Sequence, residues 1–171
     1  MLGPAGSGRD ALSAQMPGAE ELRIGAADDA NPDVLALRAA LDAEVARLYA
    51  DVPGFVASSA HDAPQPTDAL LIAYRDGAAV ALAGLRPFEQ GVAEIKHVYV
   101  VPSARRRGIA SRLLDELESR ARRAGYTALR LDTAARQREA VSLYRARGFE
   151  EIAAYNTNVG VDVWMEKRLQ L

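Results

Sequence analysis

The chain has 171 residues, of which 49% are hydrophobic and 26% charged, a balance that suits one folded domain with a substantial core. Its net charge of -2 at pH 7 argues against general affinity for nucleic acid, which needs a net basic surface. The absence of cysteine excludes a disulfide framework and a thiolate metal site, and two histidines leave little material for any other, so we expect no metal.

The sequence also predicts where the folded part begins and where the protein works. Residues 1–20 are rich in Gly, Ala and Ser, have no hydrophobic period and lack the apolar region of a signal peptide. We therefore expect a flexible extension there and a folded domain over residues 21–171. No apolar run approaches membrane-spanning length, so we expect a cytoplasmic protein without a membrane partner.

The first elements in chain order are a strand and a helix. Residues 21–27 begin with apolar and polar residues in alternation, which favours a half-buried strand. Asn31 is a good helix cap and Pro32 fits the first helical position, so we predict a helix over residues 34–50, in which Leu37, Leu41, Val45 and Leu48 recur at helical spacing and form its apolar face. Residues 51–68 are rich in Pro, Asp and Ser and are predicted to form a loop.

The hydrophobic period then changes to that of strands. Residues 69–75 and 78–88 flank Asp76-Gly77, a dipeptide typical of tight hairpin turns. Residues 91–101 follow after a short turn and form a third predicted strand. The pattern therefore predicts three consecutive antiparallel strands.

The second half of the chain alternates helices and strands. The predicted elements are a helix over about residues 109–124, a strand over 127–133, a helix over 138–147, and strands over 149–155 and 162–169. The first of these helices has one apolar face, formed by Ile109, Leu113, Leu114, Leu117 and Ala121. A hairpin run followed by two strand–helix–strand units predicts an α/β fold with a mixed sheet and helices on both faces.

Three arginines stand where the third strand gives way to a helix. Arg105, Arg106 and Arg107 directly precede Gly108 and the predicted helix start. A helix N-terminus has backbone N–H groups without internal partners and the positive end of the helix dipole, so a glycine-containing turn there can bind an anion. The spacing alone leaves two interpretations open, a phosphate site and a basic turn solvated by water.

Two motifs in this half resemble those of the GNAT acetyltransferase superfamily. Residues 100–110 are similar to its acetyl-CoA-binding motif, with Arg105, Gly108 and Ala110 at the fixed positions and Arg106 where many members have glycine. Residues 140–149, AVSLYRARGF, are similar to a second family motif through Ala140, Leu143, Tyr144, Gly148 and Phe149. The resemblance covers about residues 21–169 and implies a single domain of the family fold.

The resemblance implies direct transfer of the acetyl group of acetyl-CoA to a primary amine of a small molecule or a protein. It implies coenzyme contacts along the third strand and the following turn, at Val98, Tyr99, Val100, Arg105, Arg106, Arg107, Gly108, Ile109, Ala110 and Ser111. A backbone N–H near Val98 would polarise the thioester carbonyl. Gln137 would either cap the last helix or reach the coenzyme.

The resemblance also implies catalytic roles. Tyr144 matches the usual general acid of the family, the alternative being a core aromatic residue. Glu94 lies near the position where some members carry a base; the alternative is an outward-facing strand glutamate paired with Lys96 or an arginine. In a regular strand His97 lies on the opposite face from Glu94, so it would serve with Glu94 only if a bulge redirected one of them.

Two other functions remain open from the sequence. One is a module of the same fold that binds acetyl-CoA without turnover. The other reads Arg105–Arg123 as a nucleic-acid-binding helix, although its acidic residues and the negative net charge favour no nucleic-acid partner. The sequence does not specify the acceptor amine, and a homodimer is possible.

Overall fold

The computed structural model describes residues 21–55 and 69–170, which form a mixed seven-stranded sheet with three helices. The predicted extension over residues 1–20 lies outside the described residues, as does most of the predicted loop over 51–68. The strands are β1 (Leu22–Ala26), β2 (Ala69–Arg75), β3 (Ala78–Glu89), β4 (Val92–Val100), β5 (Ala128–Thr133), β6 (Glu150–Ile152) and β7 (Val163–Arg168). The helices are α1 (Pro32–Leu48), α2 (Ile109–Arg123) and α3 (Arg138–Ala146).

The strands lie in the sheet in the order β1-β2-β3-β4-β5-β7-β6. Each neighbouring pair is antiparallel except β4 and β5, which are parallel and are connected through α2. The predicted mixed sheet with helices on both faces is therefore confirmed. The position of β7 between β5 and β6 follows from long-range pairing and was not predicted.

Local signals in the sequence set most element boundaries. The Asn31 side chain accepts a hydrogen bond of 2.8 Å from the Asp33 N–H and so caps α1, as predicted. Asp76 and Gly77 both have positive φ angles, 51° and 81°, which is the backbone that a two-residue hairpin turn requires. The predicted strand over 149–155 was too long, because the chain leaves the sheet after Ile152.

Both faces of the sheet are buried, which explains the nearly continuous apolar runs of β2 and β3. Leu71, Leu85, Leu129 and their neighbours pack with α2 and α3, and Leu70, Ile72 and Leu82 pack with α1. The predicted apolar face of α2 is confirmed, since Ile109, Leu113, Leu114, Leu117 and Ala121 are all buried.

The predicted apolar face of α1 needs a correction at its last turn. Leu37 is buried as predicted, but Leu48 is 36% exposed. The core contacts of α1 with the sheet come from Val34 and Leu37, joined by the partly buried Ala40 and Leu41, which pack with residues of β2, β3 and β4. The second half of α1 borders the cavity described below.

A buried charge cluster joins α2, β7 and the end of α3. Glu118 is 5% exposed and accepts hydrogen bonds from Lys167 Nζ at 2.8 Å and Arg147 Nη2 at 3.3 Å. Arg147 also pairs with Asp115. Buried carboxylates need such partners because desolvation of an unpaired charge is costly.

Candidate active site

The candidate site lies where β4 and β5 separate. Their parallel pairing covers only Val92–Glu94 and Ala128–Arg130. Beyond this point, both strands line a cavity of about 1160 Å³, together with the second half of α1, the turn before α2, and α3. A gap between two parallel strands exposes backbone groups that an extended ligand can pair with.

A β-bulge in β4 marks the wall of this cavity. Lys96 pairs with Gly84 and Tyr99 with Leu82, so β4 has one more residue than β3 between these pairs, and His97 has a φ angle of 56°. The bulge places Lys96 and Tyr99 on the same face of the sheet, which a regular strand would not do. A bulge of the kind considered for His97 is therefore present, and His97 and Val98 both line the cavity, whereas Glu94 is not among the lining residues.

The turn before α2 has the backbone of an anion site. Arg106 and Gly108 have φ angles of 59° and 73°, and α2 has no side-chain cap. The first helical bond runs from the Arg112 N–H to the Gly108 carbonyl at 3.1 Å, so the N–H groups of residues 109–111 belong to the unpaired first turn. Residues 108–111 line the cavity, and this arrangement fits a phosphate or pyrophosphate group.

The three arginines of this turn differ in their surroundings. Arg105 donates through Nη2 to both carboxylate oxygens of Glu44 on α1, at 2.7 and 2.6 Å, and through Nε to the Val100 carbonyl at 2.9 Å. Its side chain therefore ties the turn to α1. Arg106 is exposed and lines the cavity, whereas Arg107 is exposed and is not among the lining residues.

Gln137 and Tyr144 reach the cavity from α3. The Gln137 Oε1 accepts a hydrogen bond of 2.7 Å from the Thr133 hydroxyl, which links the start of α3 to β5. Tyr144 is 7% exposed, lines the cavity and packs edge-on against Phe149. Burial, with a smaller contribution from the negative charge of Asp132, raises the pKa of Tyr144 well above its usual value of 10.0, so the hydroxyl keeps its proton.

Glu94 lies inside a buried polar network and not among the cavity-lining residues of the described chain. Its side chain is 0% exposed; Oε2 accepts from Arg86 Nε at 2.7 Å and Nη2 at 2.6 Å, and Oε1 accepts from the Tyr155 hydroxyl at 2.9 Å. Lys96 Nζ is 3.9 Å from Glu94 Oε1. The predicted alternative of a paired glutamate thus matches this geometry, although the carboxylate is buried and not outward-facing.

The same network reaches the cavity at Asp132, which the sequence interpretation missed. Asp132 Oδ1 accepts from Lys96 Nζ at 3.1 Å, and Oδ2 accepts from the side-chain amides of Asn156 and Asn158. Asn156 also accepts from the Trp164 indole N–H at 2.9 Å. The available signal was weak, a single acidic residue alternating with Leu129 and Leu131 near the end of a strand.

Three loops near the C-terminus of α1 form one wall of the cavity. The Tyr49 hydroxyl donates to the Gly160 carbonyl at 2.6 Å, and the Tyr49 ring stacks on Phe55 with centroids 4.2 Å apart. Arg136 pairs with Asp51 at 2.6 Å and lies over the Tyr49 ring. These contacts hold the segment after α1, the start of α3 and the loop before β7 together.

Two further properties concern metals and membranes. The described residues contain no group of three His, Cys, Asp or Glu side chains that is placed to hold a metal ion. None of the helices in residues 21–55 and 69–170 is long and apolar enough to cross a membrane.

Comparison with known proteins identifies the class to which this fold and site belong. The family model described as "Acetyltransferase (GNAT) family" matches residues 37–149, which is more than half of the chain. The chain therefore belongs to the GNAT acetyltransferase family, as the two sequence motifs predicted.

Individual relatives agree with this assignment. Over 88 residues the chain is 38% identical to an IAA acetyltransferase of Azospirillum brasilense; the alignment covers 51% of this chain and 58% of the relative, little more than half of its length. A Klebsiella pneumoniae structure assigned to the acyl-CoA N-acyltransferases is 29% identical, with a TM-score of 0.71 over 87% of this chain and 98% of the other.

A third relative shares the fold. The PaiA N-acetyltransferase of Thermoplasma acidophilum, solved with coenzyme A, has a TM-score of 0.64 at 17% identity over 86% of this chain and 99% of the other. At that identity the likeness concerns the architecture of the sheet and helices.

Proposed function

We propose that the protein transfers the acetyl group of acetyl-CoA to a primary amine. The observation that carries the proposal is the left-handed turn at Arg106 and Gly108, which directs the start of α2 into a cavity between the separated strands β4 and β5. The pyrophosphate of the coenzyme is an anion suited to that helix start, and its extended arm is suited to the gap between the strands. Membership of the GNAT family supports both assignments.

This arrangement supports a set of proposed coenzyme contacts. The backbone N–H groups of residues 108–111 would bind the pyrophosphate, with charge added by Arg106. The backbone of Val98, Tyr99 and Val100 would pair with the arm, because the Tyr99 side chain is 6% exposed and packs with α1. When bound, the coenzyme supplies an activated acetyl thioester. Gln137 would act by holding α3 in position through Thr133.

Tyr144 is the proposed proton donor. The departing thiolate, whose conjugate acid has a pKa of about 8.5, is stabilised by a proton donor placed beside it. The Tyr144 hydroxyl stays protonated because burial raises its pKa, and the residue lines the cavity. These two properties fit a general acid.

The predicted proton acceptor, Glu94, does not line the cavity among the described residues. Glu94 stays a prediction for this role, because its carboxylate is fully buried and receives Arg86 and Tyr155. Lys96 and Asp132 lie between Glu94 and the cavity: Lys96 Nζ donates to Asp132 Oδ1 at 3.1 Å and is 3.9 Å from Glu94 Oε1, which is beyond hydrogen-bond distance. We propose that Glu94 would act through these two side chains.

The proposal is tested by calorimetric titration of acetyl-CoA against the protein and against Gly108→Asp. The new carboxylate would face the proposed pyrophosphate site, and we expect affinity to fall at least about tenfold. Gly125→Asp is the matched control: Gly108 and Gly125 have φ angles of 73° and 85°, both flank α2, and neither has an atom near an added Cβ.

The outcomes separate binding from turnover. Equal losses in the two variants would show that backbone strain and not the site is responsible, which would contradict the proposed cradle. Thiol release with an amine present distinguishes a transferase from the alternative, a module that binds acetyl-CoA without turnover.

A cytoplasmic location and a homodimer remain predictions. Cell fractionation checks the location, and light scattering checks the oligomeric state.

A further inference from the structure

The turn before α2 contains a residue in a strained backbone conformation. Arg106 has a φ angle of 59°, in the left-handed region, where the Cβ of a side chain comes too close to the following carbonyl. Glycine, which many family members have at this position, avoids that steric cost. A strained residue keeps its conformation only where its surroundings hold it, so we looked for the contacts that fix this turn.

Arg105, directly before the strained residue, makes these contacts. Its Nε donates to the Val100 carbonyl at the end of β4 at 2.9 Å, which closes the segment between the two residues. Its Nη2 donates to both carboxylate oxygens of Glu44 at 2.7 and 2.6 Å, and its guanidinium lies 5.8 Å from the centre of the Tyr99 ring. Arg105 is therefore held by the backbone of β4, by a buried ring and by α1.

Glu44 is the partner of Arg105 that comes from a distant part of the chain. It lies on α1, 61 positions before Arg105, and the two side chains are 37% and 31% exposed. An ion pair that is exposed to this degree adds little to the stability of the whole protein, because water and salt screen it. Its effect is local, since it fixes the side chain next to the strained residue.

We propose that Glu44 is a positioning residue for the coenzyme. By holding Arg105, it keeps Arg106 in the left-handed conformation, so that the N–H groups at the start of α2 are in place before the pyrophosphate binds. A site that is ordered in advance binds more tightly, because binding does not have to order it. The inference rests on the proposed binding of acetyl-CoA at this turn.

The direction of the effect separates this role from simple electrostatics. Glu44 is a negative charge that lines a cavity proposed to bind a polyanion. Coulomb repulsion alone therefore predicts that removal of Glu44 strengthens acetyl-CoA binding, and the same holds if Glu44 only withdraws Arg105 from the phosphates. The positioning role predicts the opposite, weaker binding.

The test is a calorimetric titration of acetyl-CoA against the protein and against Glu44→Ala. The substitution removes the carboxylate and leaves the helix intact, because alanine has the highest helix propensity. We expect the Kd to rise about fivefold, while the midpoint of urea denaturation stays close to that of the unmodified protein. A Kd less than three times that of the unmodified protein would overturn the inference.

Asp42→Ala is the matched control, because it removes the same charge from the same helix and the same cavity. Asp42 makes no hydrogen bond or ion pair within the described parts of the chain. We expect its Kd for acetyl-CoA to stay the same or to fall. Equal losses in the two variants would show a general effect of changes in α1 and would contradict a specific role of Glu44.

A double-mutant cycle tests whether Glu44 acts on the strained residue. Arg106→Gly removes the steric cost of the left-handed conformation. In this background Glu44→Ala should change the Kd less than twofold, whereas beside Arg106 it raises the Kd about fivefold. The same loss in both backgrounds would overturn the proposed route through Arg106.

The failures of the two proposals can be told apart. If the unmodified protein does not bind acetyl-CoA, the proposed function is overturned and the inference falls with it. If the unmodified protein binds acetyl-CoA and Glu44→Ala binds it equally or more tightly, the positioning role is overturned and the proposed function stands.

Discussion

Tyr144 illustrates how one side chain combines packing and chemistry. Its ring belongs to the core against Phe149, while the residue lines the cavity and its hydroxyl makes no hydrogen bond with the described residues. The two interpretations offered by the sequence, core aromatic and proton donor, therefore describe the same residue. Burial produces both properties, because it fixes the ring and raises the pKa of the hydroxyl.

We predict that Tyr144→Phe lowers kcat about 100-fold and leaves the Kd for acetyl-CoA unchanged, since only the proton donor is lost.

The raised pKa of Tyr144 also determines how stability and activity depend on pH. Because the pKa of Tyr144 is higher in the folded protein than in the unfolded chain, its contribution to stability is fully present below about pH 10. That contribution is lost as the pH rises from the pKa of the unfolded chain through that of the folded protein. The activity of the unmodified protein, measured from pH 6 to 10, should therefore show no alkaline decline due to Tyr144. A kcat of the Tyr144→Phe variant within threefold of the wild-type value would contradict the role of Tyr144.

The buried pair of Glu94 and Arg86 shows that a side chain's partners in the folded protein cannot be read from its local sequence. Glu94 was predicted from the family resemblance, and its partners Arg86 and Tyr155 come from β3 and from the loop after β6. Side chains that are 61 positions apart, as Glu94 and Tyr155 are, leave no local pattern. Asp132 was missed for the same reason, because its partners follow from the tertiary fold.

At the scale of elements, local rules predicted most of the structure. The apolar spacing of α2, the Asn31 cap of α1 and the Asp76-Gly77 turn each act over a few residues, and all three were confirmed. The bulge in β4 was not assigned in advance, because its position depends on pairing with β3. The last turn of α1 was misjudged because Leu48 borders the cavity and not the core.

The contact between Gly160 and Phe55 allows a test of how tightly the cavity wall after α1 is packed. A Cβ added at Gly160 would clash with Phe55 Cε2, and the residue has a φ angle of 78°. We expect Gly160→Ala to lower the free energy of unfolding by about 2 to 3 kcal/mol, through backbone strain and overpacking together. Urea denaturation measures this change.

Gly54→Ala is the matched control for that experiment. Gly54 has a φ angle of 74° and nothing within 4 Å of an added Cβ, so it carries the backbone strain without the steric conflict. We expect a loss of about 1 kcal/mol there. Equal losses at the two glycines would show that Phe55 yields freely and that the wall is not tightly packed.

In the whole molecule, one cavity is lined by elements from both faces of the sheet. The start of α2 and α3, whose core contacts lie on one face, and α1, which packs on the other, all border it. The separation of β4 and β5 connects the two faces. The mixed sheet was predictable from the order of elements, whereas the gap was not, because it depends on where one parallel pairing stops.

The charge cluster at Glu118 and the network at Asp132 together account for every lysine of the chain. The sequence contains two, Lys96 and Lys167, among 21 basic residues. Lys96 pairs with Asp132 at 3.1 Å and Lys167 with Glu118 at 2.8 Å. An ammonium held in an ion pair is a poor nucleophile, and arginine stays protonated at neutral pH.

This pairing has a consequence for self-modification by the reactive thioester. We expect neither lysine to be acetylated when the folded protein is incubated with acetyl-CoA, and both to be modified by acetic anhydride once the protein is unfolded in urea. Peptide mass mapping measures the occupancy, and acetyl groups on either lysine of the folded protein would contradict the expectation. The protein's own lysine side chains would then compete poorly with the acceptor for acetyl groups.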